Sequence, residues 1–303
     1  MKQYEFRQVD VFAAAPYAGN PLAVVLDAHG LSTEQMQAVA AETNLSETAF
    51  VLPPDNPRAD YRMRIFTPTL ELPFAGHPSV GTAHVLYEEG RFGEGTGPIT
   101  VRQQVAVGVL PIDIRPVADG PPVVMMTQGK PEFWPCYEDL DRLASALGLR
   151  PEDIQRSRLP PQAASTGLKQ MAVPVASLDA VVNMKPDMRV LAGLERGLGV
   201  TGFEVFSQET RSGATAHVRF FGPASGVAED PATGSGGGML GAYLVKHKAV
   251  DVSRSSVRVT IEQGEEMRRP SRIEVEVEHL KGDPKVVRVG GRCVTVLRGK
   301  LLA

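Results

Sequence analysis

Residues 64–90 read RIFTPTLELPFAGHPSVGTAHVLYEEG, and residues 219–248 read RFFGPASGVAEDPATGSGGGMLGAYLVKHK. Both run basic, apolar, Phe, any residue, Pro, then an acidic residue, a glycine and an apolar helical stretch, about half a chain apart. Apolar alternation ahead of Pro68 and Pro223 predicts a strand. The prolines end its hydrogen-bond ladder, and small residues at Gly76 and Gly234 open a turn into a helix. The first amides of a helix lack an intrahelical acceptor and lie at the positive end of the peptide dipole, so each start attracts a carboxylate or phosphate. Two such copies facing each other enclose one site for a small anion. The bland alternative is a duplicated structural unit with two packed core helices. Against it, His77, Ser79, Asp230, Thr233 and Ser235 crowd the two starts and are poor core choices.

The chain has 303 residues, of which 43% are hydrophobic, with 30 Gly and 24 Pro. That is ordinary globular composition with ample core, and the length prior gives two domains of roughly 150 residues. The net charge is -3 with both signs interspersed, and no basic run exceeds Arg268-Arg269. This argues against nucleic-acid and membrane partners and leaves small molecules. The charged start MKQYEFRQVD has no apolar signal core and no stretch approaches the length of a membrane span, so a cytoplasmic protein is expected. Cys136 and Cys293 lie far apart, with no second Cys or His at metal-ligand spacing. Neither a disulfide framework nor a metal site is expected.

Around the repeat, residues 4–12 and 21–27 read as strands about the turn Ala18-Gly19-Asn20-Pro21. A helix follows, capped by Ser32 with Gln35 completing a capping box, Leu31 and Met36 forming an apolar staple, and Asn44 closing it. Residues 45–52, LSETAFVL, are apolar enough for a well-buried strand yet carry one carboxylate, Glu47. Strand patterns resume at 99–114, and the Pro/Gly/Asp cluster Pro116–Pro122 is the best linker candidate. The spacing predicts helices over 138–147, ended by Gly148, and over 188–196, ended by Gly197 or Gly199. Strands are expected at 171–175, 202–207 and 214–221, and a meander over 257–302. Strands broken by single long helices without βαβ alternation predict α+β architecture. The domains are set at 1–118 and 119–303, with the last strand able to cross back.

The pieces FAAAPYAGNPLAVV, NLSETAFV, IFTPTLELPFAGHPSVGTAHVL, GVAEDPATGSGGGMLGAYL and QGEEMRRPSRI resemble, in order and spacing, the PhzF-like family of phenazine-biosynthesis isomerases and their relatives. The resemblance spans most of the chain. It implies the diaminopimelate epimerase-like fold: two similar domains, each a sheet wrapped around a central helix, with the active site in the inter-domain cleft. It also implies a catalytic set, with Glu47 of NLSET as the proton shuttle, His77 after the FAGH turn, and Asp230 of EDPATGS. Ser235 closes that second motif. Gly76, Pro78, Ser79, Thr233, Gly234, Ser235 and Gly236 become the substrate-binding turns, and a homodimer is implied.

A single base that removes a proton at one carbon and returns it at another, shielded from water, suits isomerisation of a conjugated acid. Burial raises a carboxyl pKa toward neutrality, while His77 and Asp230 can orient a substrate amine or hydroxyl. The expectation is a cofactor-independent isomerase acting on a small carboxylated metabolite. The alternatives are an amino-acid epimerase or racemase of the same fold and a non-catalytic binding protein. Two-thiol racemisation is disfavoured, because Ala75 precedes the first glycine and Asp230-Pro231-Ala232 contains no cysteine. The GxGxxG at Gly236, Gly238 and Gly241 lies inside a helix start and lacks a Rossmann context.

Overall fold

The computed structural model describes residues 2–93, 95 and 97–303. They form two compact units, Met1–Thr127 with Gly290–Ala303, and Gln128–Val289.

In the first unit, β1 (Gln3–Val11) pairs antiparallel with β2 (Asn20–Val25), and β2 lies parallel to β3 (Glu47–Leu52). β3 is antiparallel to β4 (Tyr61–Phe66), which carries the short β5 (Glu71–Leu72) and runs parallel to β6 (Ile99–Val105). β7 (Gly108–Arg115) and β8 (Val123–Thr127) extend the sheet by antiparallel pairing. Strand alternation separates two faces. Outward, Val25, Phe50 and Phe66 pack with Leu31, Met36 and Val39 of the segment around α1 (Thr33–Thr43). The Phe50 and Phe66 rings meet edge to face at 5.5 Å. Inward, α2 (Gly76–Glu88) is buried without interruption from His77 to Leu86.

Helix α1 starts and stops as its sequence dictates. Ser32 Oγ accepts from the Gln35 amide at 3.2 Å, while Gln35 Oε1 accepts from the Ser32 amide at 2.9 Å. Leu31 and Met36 are buried across that end, and Asn44 closes it in the left-handed region.

The second unit repeats this plan. β9 (Glu132–Cys136), α3 (Leu140–Leu147) and α4 (Pro151–Gln155) lead to β10 (Gln162–Ser165) and β11 (Lys169–Pro174). After α5 (Leu178–Asn183) and α6 (Met188–Leu198) come β12 (Phe203–Ser207), β13 (Ala216–Gly222) and β14 (Val227–Asp230). Then follow α7 (Gly234–Lys246), β15 (Ser256–Gln263), β16 (Ser271–Leu280) and β17 (Asp283–Gly291). From β10 to β16 the pairings run antiparallel, parallel, antiparallel, parallel, antiparallel, the same series as β1 to β7. β14 hangs on β13 as β5 does on β4.

The copies agree even in loop tethers. Gln104 Oε1 accepts from the Asp55 and Asn56 amides at 2.9 and 3.1 Å. At the matching register, Glu262 accepts from the Arg211 and Ser212 amides at 2.7 and 3.0 Å. The outer face of the second sheet packs Phe203, Val205 and Phe221 with Leu143, Leu147, Leu191 and Leu194 of the outer helices.

The elements refine the sequence reading at four places. The pattern at 99–114 is two strands, because Ala106 and Val107 make a tight turn. Pro116–Pro122 joins β7 to β8 within the first unit, so residues 119–127 belong with that unit and the cluster is a loop. Helices α4 and α5, of five and six residues, are too short to show a period. The final meander divides: β15 to β17 follow α7, while β18 (Cys293–Leu302) returns to pair antiparallel with β1 in the first unit. No helix among the described residues is long and apolar enough to cross a membrane.

A helix buried all round must present small residues where strands approach it. A Cβ on Gly81 would lie 2.7 Å from both Leu22 and Val11, two fully buried side chains. Gly81→Ala therefore lowers stability by about 1–3 kcal/mol in spite of alanine's better helix propensity. Urea denaturation checks this, and a variant as stable as the wild type would contradict the packing described.

Candidate active site

Glu47 is the first residue of β3, set opposite Leu22 across the parallel pair with β2. The left-handed Asn44 and the contact of Thr43 Oγ1 with Thr48 Oγ1 at 2.8 Å fix how the chain enters that strand. Alternation then puts Glu47 on the inner face, opposite to Phe50. Its side chain is 17% exposed, and Oε2 lies 3.2 Å from Nε2 of His77, itself nearly buried as the second residue of α2. The approach has ion-pair distance without hydrogen-bond angles. Burial pushes the Glu47 carboxyl up to about 7.

The start of α2 is built around this pair. Ala75, in the N-cap position, offers no side-chain cap. Pro78 has no N–H, so the amides of Gly76 and His77 are the ones this turn presents. Ser79 is fully buried: its hydroxyl donates to the Ala75 carbonyl at 2.8 Å and accepts from Gln103 Nε2 at 2.9 Å. Gln103 in turn accepts from the Tyr61 hydroxyl at 2.9 Å. Ser79 braces the turn.

The second unit gathers Asp230, Thr233, Gly234, Ser235 and Gly236 at the start of α7. Thr233 occupies the N-cap position but spends its hydroxyl on Asp230 Oδ2 at 2.6 Å, so no side chain caps the helix. Gln263 holds the turn from behind, donating to the Asp230 carbonyl at 2.8 Å and accepting from the Thr233 amide at 3.2 Å. Gln128 Nε2 donates to the Gly234 carbonyl at 3.1 Å, and Gln170 Nε2 donates to Ser235 Oγ at 3.1 Å. The amides of Gly234, Ser235 and Gly236 thus point out of the helix without a side-chain cap, the arrangement that receives an anion.

Sequence reading missed the amide braces Gln103, Gln128, Gln170 and Gln263. It also missed Glu204, which sits in the middle of β12 on the inner face and is completely buried. A Cβ on Gly236 would lie 2.2 Å from Glu204 Oε2, so the absence of a side chain in α7 is what admits this carboxyl. Burial, and then the charge of Asp230, hold its pKa well above the usual carboxylate range. A signal existed: Gly202-Phe-Glu-Val-Phe-Ser207 places a lone acid inside an apolar strand, the pattern that singled out Glu47.

Among the described residues, His217, Glu262 and Glu265 bring ligand atoms close enough to hold a metal ion. These donors are engaged with each other. His217 Nδ1 and Nε2 lie 2.8 and 3.2 Å from Glu262 and Glu266, and Arg211 pairs with Glu265 at 2.6 Å. Burial opposes charge on His217, but hydrogen bonds to Glu266 and Glu262 outweigh it and raise the imidazole pKa. These hydrogen bonds and the Arg211 ion pair hold the cluster together.

Comparison with known proteins identifies the family. The family model of phenazine biosynthesis-like proteins, PhzC-PhzF, matches residues 9–299. An uncharacterised isomerase of Mesorhizobium japonicum is 39% identical, over 99% of each chain. The trans-2,3-dihydro-3-hydroxyanthranilate isomerase of Pseudomonas aeruginosa is 35% identical, covering 96% of this chain and 97% of that one. The crystal structure of a PhzF-family phenazine biosynthesis protein from Bacillus anthracis superposes with a TM-score of 0.89 at 32% identity, covering all of both chains. With the duplicated sheet-around-helix units and the NLSET, FAGH and EDPATGS turns in place, the chain belongs to the PhzC-PhzF family of isomerases.

Proposed function

We propose that this protein moves a proton between two carbons of a small, unsaturated carboxylated metabolite without a cofactor, with Glu47 as the acid and base. The observation that carries the reading is the Glu47 carboxyl itself: mostly shielded from solvent on the inner face of β3, 3.2 Å from His77, and pushed up to about 7 by that shielding. A group with that pKa is substantially ionised and substantially protonated near neutral pH, so one residue can serve both halves of a transfer.

In the first half, the Glu47 carboxylate takes a C–H proton and becomes the acid. The bonding pair of the broken C–H bond moves into the substrate's conjugated system. In the second half, the Glu47 O–H returns that proton to the far carbon and the carboxylate is restored. His77, with Nε2 3.2 Å from Oε2, is near enough to position the carboxyl. Taken by itself, the start of α7 reads as a carboxylate seat made of the Gly234, Ser235 and Gly236 amides, with Asp230 and Thr233 beside it as groups that can orient an amine or hydroxyl. The relative from Pseudomonas aeruginosa, by its name, isomerises such an amino- and hydroxyl-bearing ring acid, which supports this substrate class.

Turnover of trans-2,3-dihydro-3-hydroxyanthranilate or a related unsaturated amino acid in deuterium oxide checks the assignment. Glu47→Gln should lower both turnover and deuterium incorporation by about 10²–10⁴-fold. Binding that survives with equal incorporation in both proteins would remove Glu47 from the chemistry. Because the first step needs the carboxylate, kcat/KM should fall about tenfold per pH unit below about 7.

The same carboxyl makes a stability prediction. A raised native pKa means that the protonated form is favoured by folding. Its contribution is fully present below the ordinary carboxylate value of 4.5 and is lost as pH rises through about 7. Glu47→Gln, neutral throughout, should be more stable than the wild type at pH 8 by about 1–3 kcal/mol and equal to it near pH 4. Thermal unfolding across that range measures the difference.

A further inference from the structure

Glu204 has no part in the proton transfer just described, yet it is the most confined acid of the second unit's inner face. It is wholly buried, and among the described residues neither carboxyl oxygen has a hydrogen-bond partner. A carboxylate so placed would be strongly disfavoured, and a methionine or leucine of similar volume would serve the fold better. The carboxyl is also aimed. Its Oε2 and Cδ occupy the space where a side chain on Gly236 would begin, 2.2 and 2.7 Å from an ideal Cβ. Gly236 is the third residue of α7, one of three whose amides have no side-chain cap.

The groups facing Glu204 can be named element by element. β11 presents Ala172, at the same register, and Gln170, which is turned to Ser235. β13 presents Phe220, and beyond it β14 presents Asp230, since Phe220 is in register with both Glu204 and Asp230. Two strand spacings set the acids about 10 Å apart at their backbones. α7 presents Gly236. Asp230 is the charged group that acts on Glu204, and it opposes a second negative charge.

We propose that Glu204 is a positioning residue for the carboxylate seat at the start of α7: neutral beneath Gly236, it leaves the first-turn amides free to attract an anion, and ionised, it repels one. The inference rests on the proposed carboxylate binding by Gly234, Ser235 and Gly236. A fixed negative charge within the same turn would oppose a ligand carboxylate through a low-dielectric gap and reverse the pull of the helix end. Glu204 therefore makes the seat selective for anions only while it keeps its proton.

The test uses the full chain, anthranilate as the carboxylate probe and 2-aminobenzamide as its uncharged counterpart. Infrared difference spectra between the wild type and Glu204→Gln should show a protonated-carboxyl stretch at pH 7 that is lost on titration with base. Binding is read from the amide resonances of Gly234, Ser235 and Gly236. Wild-type affinity for anthranilate should fall at least about tenfold over the interval in which the band disappears. Glu204→Gln should keep its pH 6 affinity throughout, and 2-aminobenzamide should be indifferent to pH. Four results overturn the role of Glu204: no protonated band at pH 7, a band that persists to pH 10, affinity unchanged from pH 6 to 10, or the same fall in Glu204→Gln. The wild-type affinities for anthranilate and 2-aminobenzamide across the pH range decide the matter even if that variant folds poorly. If anthranilate shifts none of the three amides at any pH, the carboxylate seat itself is refuted, a failure distinct from the other four.

Discussion

The structure turns on helices that have no solvent side. α2 and α7 each lie against the inner face of a curved sheet, and every turn of each must find a protein neighbour. Such helices cannot rely on intrinsic propensity. α7 places five glycines in thirteen residues, each unfavourable by about 1 kcal/mol relative to alanine. Packing repays this where the glycines sit. Gly237 admits Ile273, Gly241 admits Val275, Gly238 admits Gln128 and Gly236 admits Glu204. Polar groups brought against the first turns are therefore stripped of water, and this stripping raises the carboxyls of Glu47 and Glu204. The packing of the helices and the raised carboxyls have one cause.

The duplication is faithful in backbone and divergent in chemistry. Strand pairings and the loop tethers Gln104 and Glu262 correspond. The acids do not. Aligning Phe66 with Phe221 matches Glu204 to Ala49 and Glu47 to Gly202, a displacement of two residues along the same face. Each unit thus holds a buried acid at a helix start, but with different company. Glu47 meets an imidazole, whereas Glu204 meets bare backbone and a distant like charge.

The repeated segment made most of this architecture legible in the sequence. The helix starts at Gly76 and Gly234 and the complete Ser32–Asn44 cap-to-cap reading could be seen because capping and left-handed closure are local chemistry. Boundaries that depend on distant pairing could not. Nothing in Pro116–Pro122 distinguishes a linker from a hairpin loop, since the same residues serve both, and only the pairing of β7 with β8 decides. Glu47 stood out because its motif and its apolar strand agreed. Glu204 shared the second signal without the first. The glutamines that brace the helix starts were invisible, because an amide commits to its partner only in three dimensions.

The return of β18 to β1 ties residues 293–302 to residues 3–11 along nine registered pairs, with Lys2 and Ala303 exchanging both backbone hydrogen bonds beside them. β1 therefore lacks one of its neighbours until β18 has been made. During synthesis the first unit must wait with an unsatisfied edge while the whole second unit is made. Such a delay favours a slow final closure and exposes β1 to foreign strands in the interim. Removal of β18 would accordingly harm a sheet whose other strands are made long before it.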